Sequence, residues 1–488
     1  MSGVVAAGHP LTAAAGAEVL RAGGNAVDAA VAAVLTSVVV ESMMTGLGGG
    51  GYLMVAPPDA DPVLLDFFVE APGRGADPAD RAPLRTADVY FDEVLQVFGI
   101  GAPSCAVYGV PAGVAAAVDR FGTVPLSELA APAARLARDG VRLTEQQAGM
   151  YTLLAPILRS DPVTAATHRV DGQPPVAGSV VRDPHLGDAL ERLGAEGPAP
   201  FYTGDVGHAV SDAVLAAGGL ITRADLAAYR VVERDPIRMP YRDREVDTNP
   251  PPSGGGVLLA YALALLDRHP GPPDALDLVR AMETAQDSRD AAFFAGLPTE
   301  GFGRAFLSSK VGSTTHISVL DGAGWAATVT CTNGEGSGVM VPGTGLYLNN
   351  MLGERDLSPF GFFTHPPGER LPSTMAPTVV RRDGQVELVL GSAGSSRIRS
   401  ALLQVIVNSV DLGLPVQAAV DAPRLHAEDA VVHIEPGVDG AALAGAGHEV
   451  SRFRGRHTFF GGVQAVERRD GRLIGAGDPR RGGAVVLA

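Results

Sequence analysis

The sequence predicts a mixed α+β globular protein, and three observations predict it. Two Ala-rich segments of helical character open the chain at residues 11–22 and 26–40. Short runs at 52–56, 63–69, 314–320 and 326–332 have strand character, and a tight Gly-containing turn joins the last two. The composition, 46% hydrophobic and 19% charged with a mean hydropathy of +0.16, supplies a large buried core for 488 residues and excludes a largely disordered chain.

Taken in order, the two N-terminal helices are separated by Gly23-Gly24-Asn25, where the Gly pair is a C-cap stop. The run Gly48–Gly51 leads into the strand YLMVA (52–56), with VLLDFFV (63–69) as its partner. Residues 110–230 alternate helical patterns with polar turns, and Thr222-Arg223-Ala224-Asp225 reads as a capping box. The tract Pro250–Gly256 is incompatible with helix or central strand, so it is expected to be irregular, a linker on the plainest reading, ahead of an apolar helix at 257–267. Residues 296–313 are Gly- and Ser-rich and are expected to form an exposed connector. Near the end, VELVL (386–390) is a strand and 397–412 a helix with Ile398, Leu402, Val405 and Ile406 on one stripe.

Several function classes are excluded or disfavoured. A formal net charge of −16 with no Lys/Arg run argues against nucleic acid as a partner. Two cysteines, Cys105 and Cys331, make neither a disulfide scaffold nor a thiolate zinc site. The glycine run Gly48–Gly51 lacks the spacing of a phosphate-binding loop, and neither GxSxG nor HExxH occurs. No metal and no cofactor is expected. The stretch from Ala26 to Val40 is too short to span a bilayer and no charged leader precedes it, so a soluble, cytoplasmic protein without membrane contact is expected. Met43-Met44 reads as packing, and Cys331 as a core position of its strand.

The segment Gly312–Gly338 carries the chemistry. A three-residue loop Gly322-Ala323-Gly324 would make the numbers of facing residues sum to 646, which sets Thr314 opposite Thr332. An internal threonine hydroxyl is a poor nucleophile because nothing adjacent takes its proton. An N-terminal threonine carries its own base, an α-amine with a pKa of about 7.7–8.0. Cleavage between Ser313 and Thr314 would create one.

The run TTHISV, with TGLGGGGY (45–52), GGNAVDAAVA (23–32), FGTVPLSELAAPAARLARDG (121–140), GGLITRADLAAY (218–229), PPPSGG (250–255), LNN (348–350), LPSTMAPT (371–378), GSAGSSRI (391–398) and APRLH (422–426), resembles the γ-glutamyltranspeptidase family, in family order over almost the whole chain. The resemblance implies an N-terminal nucleophile hydrolase, a four-layer αββα sandwich with two stacked antiparallel sheets. It implies one domain over 1–488, made as a precursor that cleaves itself into a large subunit, 1–313, and a small subunit, 314–488, which stay associated; it also allows a homodimer of processed units. Thr314 matches the family nucleophile and Thr332 its supporting threonine. Gly394 and Ser395 match the Gly-Gly pair whose amides hold the oxyanion, and since those donors are backbone N–H groups the Gly→Ser departure need not remove them.

The glutamate pocket departs from the family pattern. Phe68 stands where an arginine clamps the substrate α-carboxylate, and Arg74, six residues on, compensates only if the loop folds back. Glu354 replaces the aspartate that holds the α-amine, Met351 replaces a polar neighbour, and Asn333 aligns only with a one-residue gap. Ser373 and Thr374 match the paired hydroxyls. The resemblance therefore implies a glutathione hydrolase-like enzyme that moves a γ-glutamyl-type acyl group to water or an amine. The altered pocket points alternatively to a cephalosporin acylase-like amidase for glutaryl-like or less polar acyl groups, and loss of cleavage would mean a non-catalytic homologue.

Overall fold

The computed structural model describes residues 2–91, 94–288, 293, 296–298, 315–355, 357–358, 361–428 and 430–488. Ser313, Thr314 and most of the expected connector lie outside them. Thirteen strands form two sheets: β1 (Gly3–Ala7), β2 (Gly50–Ala56), β3 (Val63–Phe67), β4 (Val232–Arg234), β5 (Ile237–Tyr241), β6 (Arg244–Thr248), β7 (Thr315–Asp321), β8 (Ala326–Thr332), β9 (Thr378–Arg382), β10 (Gln385–Ala393), β11 (Gly462–Arg469), β12 (Arg472–Ala476) and β13 (Ala484–Leu487). The first sheet runs β13-β1-β7-β8-β2-β3-β4 and the second β12-β11-β10-β9-β6-β5, antiparallel throughout.

Three apolar layers bind these sheets. Helices α1 (Pro10–Arg21), α2 (Ala26–Val40), α3 (Val110–Phe121) and α4 (Leu126–Asp139) pack through residues such as Leu20, Val34, Val114 and Leu129 on the outer face of the first sheet. Helices α5 (Gly254–Asp267), α6 (Ala275–Asp287) and α7 (Arg397–Val410) cover the second through Leu259, Met282 and Leu402. Between the sheets, Val4, Met54 and Leu320 meet Val379, Val389 and Val466. The result is helix, sheet, sheet, helix, because each sheet is apolar on both faces.

The N-terminal helices form as read. Asn25 caps α2 by accepting from the N–H groups of Val27 and Asp28, and Asp28 accepts in return from the Asn25 N–H. Thr222 and Asp225 likewise form a capping box. The hairpin register is also as expected: Thr315 faces Cys331 and Leu320 faces Ala326, each pair summing to 646. Asp321 N donates to Trp325 O (3.0 Å), and Gly324 takes φ +95° to close the loop.

The tract at 250–256 corrects the linker reading. Helix α5 starts at Gly254, so three glycines lie inside its first turn. A Cβ on Gly255 would sit 2.1 Å from Thr374 O, so this helix start presses against the Ser373-Thr374 backbone. Ser253 Oγ reinforces the contact, donating to Met375 O at 2.7 Å. The tract is a packing device, and its glycines serve close approach rather than flexibility.

Candidate active site

Thr332, the last residue of β8, and Gly394-Ser395, at the turn from β10 into α7, line one cavity. These strands belong to different sheets, so only the sandwich brings them together. Thr332 Oγ1 accepts from Gly334 N at 2.7 Å, which fixes the hydroxyl at the strand end. Gly394 has φ +129° and Ser395 φ +54°, a left-handed backbone that costs a non-Gly residue about 1–2 kcal/mol. The carbonyls of Gly394 and Ser395 accept from Arg397 N and Ile398 N at 3.1 Å each, so the turn is locked to the start of α7.

The rest of the predicted pocket falls into two groups, neither of which lines that cavity. At the turn after β8, Asn333 N donates to Met44 O (3.0 Å) and Asn333 O accepts from Asn350 N (3.2 Å). A Cβ at Gly334 (φ +66°) would lie 2.1 Å from both Asn350 Oδ1 and Glu354 Oε1, so the Glu354 carboxylate is buried against the turn that holds Thr332. The second group lies at the sheet interface. Phe68 is fully buried and stacks on Tyr52 with ring centroids 5.5 Å apart, among Met351, Leu371 and Met375. Burial raises the Tyr52 phenol well above the ordinary range, and its hydroxyl has no hydrogen-bond partner among the described residues. Ser373 Oγ accepts from Met375 N (3.0 Å), whereas the buried Thr374 hydroxyl has no partner among the described residues.

Arg74 does not stand in for the missing clamp. Asp225 accepts from its N–H (2.9 Å), its guanidinium is 3.5 Å from both Asp225 and Glu70, and it is absent from the cavity wall. Met43 is core as expected, but Met44 lines the Thr332 cavity, a role its pairing with Met43 concealed.

His316 lies beneath this region. Thr330 faces its Nδ1 at 2.8 Å, while Ser318 and Thr328 face Nε2 at 2.9 Å. Ser318 donates its hydrogen to Gln464 O across the sheets (3.1 Å), so the network assigns the ring proton to Nε2 and an accepting role to Nδ1. Burial pushes the His316 pKa down to about 3, which keeps the ring neutral.

Sequence reasoning missed Arg397, Arg481, Glu335 and Tyr52. The first three line the Thr332 cavity and the fourth orders the Phe68 group. Arg397 followed the SAGSS run in plain view, but Arg481 lies in DPRRGG, outside every quoted motif. Among the described residues no group of three His, Cys, Asp or Glu side chains is placed to hold a metal. Both thiols are buried, with Cys105 pushed up to about 12 and Cys331 higher still, so neither is a ready nucleophile.

The gamma-glutamyltranspeptidase family model matches residues 12–295 and 280–488. The chain belongs to this family. Acylase ACY 1 proenzyme of Pseudomonas sp. (strain V22) is 34% identical over 532 residues, covering 99% of this chain and 93% of the relative. The glutathione hydrolase proenzyme of Escherichia coli (strain K12) is 30% identical over 542 residues, covering 98% and 90%. The crystal structure of cephalosporin acylase from Bacillus halodurans matches with a TM-score of 0.84 at 26% identity, over 99% of this chain and 95% of that one. The helix–sheet–sheet–helix stack is therefore the N-terminal nucleophile hydrolase fold that gamma-glutamyltranspeptidase relatives share, and the chain is a γ-glutamyltransferase- or hydrolase-type enzyme. No described helix is long and apolar enough to cross a membrane.

Proposed function

We propose that this gamma-glutamyltranspeptidase relative is an autoprocessing amidohydrolase that cleaves itself between Ser313 and Thr314 and uses Thr314 as its nucleophile. The observation that carries the reading is the shared cavity of Thr332 with Gly394 and Ser395, at the strand end where the hairpin register leads. Thr314 Oγ attacks the amide carbonyl and its own α-amine accepts the proton; Thr332 orients the nucleophile. The amides of Gly394 and Ser395 stabilise the tetrahedral oxyanion. The amine leaves with a proton from the same α-ammonium, and water or an acceptor amine releases the acyl ester.

The acyl group follows from Phe68. Phe68, at the position of the family's glutamate clamp, supplies no guanidinium and is fully buried against Tyr52; Arg74 is committed to Asp225 and Glu70, and Arg370 to the Phe68 carbonyl, Asp66 and Glu70. This favours a glutaryl-like acyl group over the zwitterionic γ-glutamyl head, and the acylases among the relatives support it. A γ-glutamyl donor is the second reading, supported by Ser373, Thr374 and the glutathione hydrolase relatives.

Denaturing mass spectrometry of wild type is expected to give two fragments, roughly 32 and 18 kDa by division of 50.0 kDa at residue 313, the smaller beginning Thr-Thr-His. Thr314→Ala is expected to remain one chain and to hydrolyse neither glutaryl- nor γ-glutamyl-p-nitroanilide. Full processing or activity in Thr314→Ala would overturn the nucleophile; a wild type preferring the γ-glutamyl anilide would overturn the acyl preference. A wild-type chain that stays whole would be an unprocessed precursor or the non-catalytic homologue, and the mechanism would then lack its base.

A further inference from the structure

Beside the Thr332 cavity lies a second, larger one of about 440 Å³, and Met44, Met150, Thr458 and Arg481 stand in the walls of both. Most of the surface its remaining wall offers is apolar, with Val39, Val40, Leu143 and Val181 among the lining side chains, and Glu41 and Glu145 are its acidic members. An apolar chamber opening on a reaction centre suits the hydrocarbon body of a substrate. A cation in its wall needs a separate reason.

Arg481 is placed for one. Its Nη2 lies 3.5 Å from the Cβ position of Gly394, beside the proposed oxyanion site, and donates to Thr458 O at 3.2 Å. Its Nε has no partner, and no carboxylate lies within ion-pair range, among the described residues. Glu335 and Asp478 act on it only from further away, while Arg397 repels it, and burial draws its pKa down to about 10. It remains cationic near neutral pH and short of a counter-charge.

The loop carrying Arg481 is built to hold it there. Asp478 Oδ2 takes Arg424 Nη2 at 2.6 Å and Val463 N at 2.8 Å, and Asp478 Oδ1 takes Arg480 N at 2.9 Å. Arg480 Nε donates to Glu435 Oε1 at 2.7 Å, and all four charged residues are buried. Arg424 and Arg480 are thus paired with acids, whereas the next residue along is left facing the cavity. A guanidinium fixed at a cavity wall with an open donor binds a carboxylate through charge-assisted hydrogen bonds.

We propose that Arg481 anchors a carboxylate of the amide substrate while the substrate's apolar body occupies the adjoining chamber. The inference rests on the amidohydrolase reading and makes Arg481 the specificity residue that position 68 does not supply. The substrate class is an amide with one carboxylate on an otherwise apolar frame, and that carboxylate belongs either to the acyl half or to the amine half.

The test compares kcat/KM on paired substrates. Glutaryl- and pentanoyl-p-nitroanilide differ only by the acyl-side carboxylate; pentanoyl anilides with and without a ring carboxylate report the amine side. Wild type is expected to favour the carboxylate member of one pair at least about tenfold, mainly through KM. Arg481→Met is expected to bring that ratio to within about twofold of unity, and Arg481→Lys to recover part of it. A wild type without preference in either pair, an unchanged ratio in Arg481→Met, or an equal kcat loss on all four substrates would overturn the proposal. Thermal shift is read in parallel: glutarate or benzoate is expected to raise the wild-type melting temperature but not that of Arg481→Met. That readout needs no turnover. An inert, unprocessed chain with the shift intact would sink the amidohydrolase reading and keep the anchor, and absence of the shift in wild type would sink the anchor. If Arg481→Met fails to fold, the wild-type ratios and shift decide alone.

Discussion

His316 anchors a network of neutral hydrogen bonds that reaches the second sheet through Ser318, and that makes it a source of acid sensitivity. In the fold its pKa is down to about 3, whereas the unfolded chain takes up a proton near pH 6.5. Stability from the neutral ring is therefore complete above pH 6.5 and is lost as pH falls from 6.5 toward 3, because the unfolded state then binds more protons. The loss between pH 7 and pH 5 is about 2 kcal/mol from this one residue. His316→Gln is expected to be less stable than wild type at pH 7, yet to lose about 2 kcal/mol less on going to pH 5. Urea unfolding at the two pH values checks it, and an identical pH dependence in both proteins would remove His316 from the account.

At the scale of elements, the β7–β8 hairpin and helix α2 are tied by one carboxylate. Asp321 Oδ1 accepts from Ala323 N (2.9 Å) and Trp325 N (3.0 Å), closing the loop, while Oδ2 accepts from Ala26 N (3.1 Å) at the start of α2. The side chain is wholly buried. Hydrogen bonds to a buried charge contribute about 1.5–3 kcal/mol each, and removing the acceptor strands its donors. Asp321→Ala is expected to cost about 3 kcal/mol or more, visible as a lower denaturant midpoint, whereas Ala323→Ser in the same loop changes it by less than about 0.5 kcal/mol. The hairpin was legible in the sequence because alternation and a glycine turn are local signals. The attachment of Asp321 to a helix 295 positions away was not.

Across the whole molecule, the proposed cleavage cuts a chain whose halves are interleaved. In the first sheet, β13, β7 and β8 come from after residue 314 and β1, β2, β3 and β4 from before it, with β1 held between β13 and β7, and in the second β9 pairs with β6 across the same divide. Separating the fragments would break the β13–β1, β1–β7, β8–β2 and β9–β6 ladders and open all three apolar layers. The processed protein is expected to run as one particle containing both fragments in native mass spectrometry and gel filtration, and to part only under denaturing conditions. Elution of the fragments as separate folded species would contradict the interleaved sheets.

The sequence by itself determined the local elements and the hairpin register, since helix caps, alternation and turn glycines act over a few residues. It also carried the family motifs, whose order marked Thr332, Gly394 and Ser395. Tertiary structure alone decided which of those residues share a cavity, because Thr332 ends a strand of one sheet and Gly394 follows the end of a strand of the other. It turned Pro250–Gly256 from an expected linker into the helix start that packs on Thr374, and it buried Phe68 against Tyr52. It also showed Arg424 and Arg480 neutralised and Arg481 left facing the cavity. An arginine's identity is written in the chain. Whether a carboxylate comes within reach of it depends on packing between segments such as those of Arg424 and Asp478 or Glu435 and Arg480, tens of residues apart, for which local sequence holds no signal.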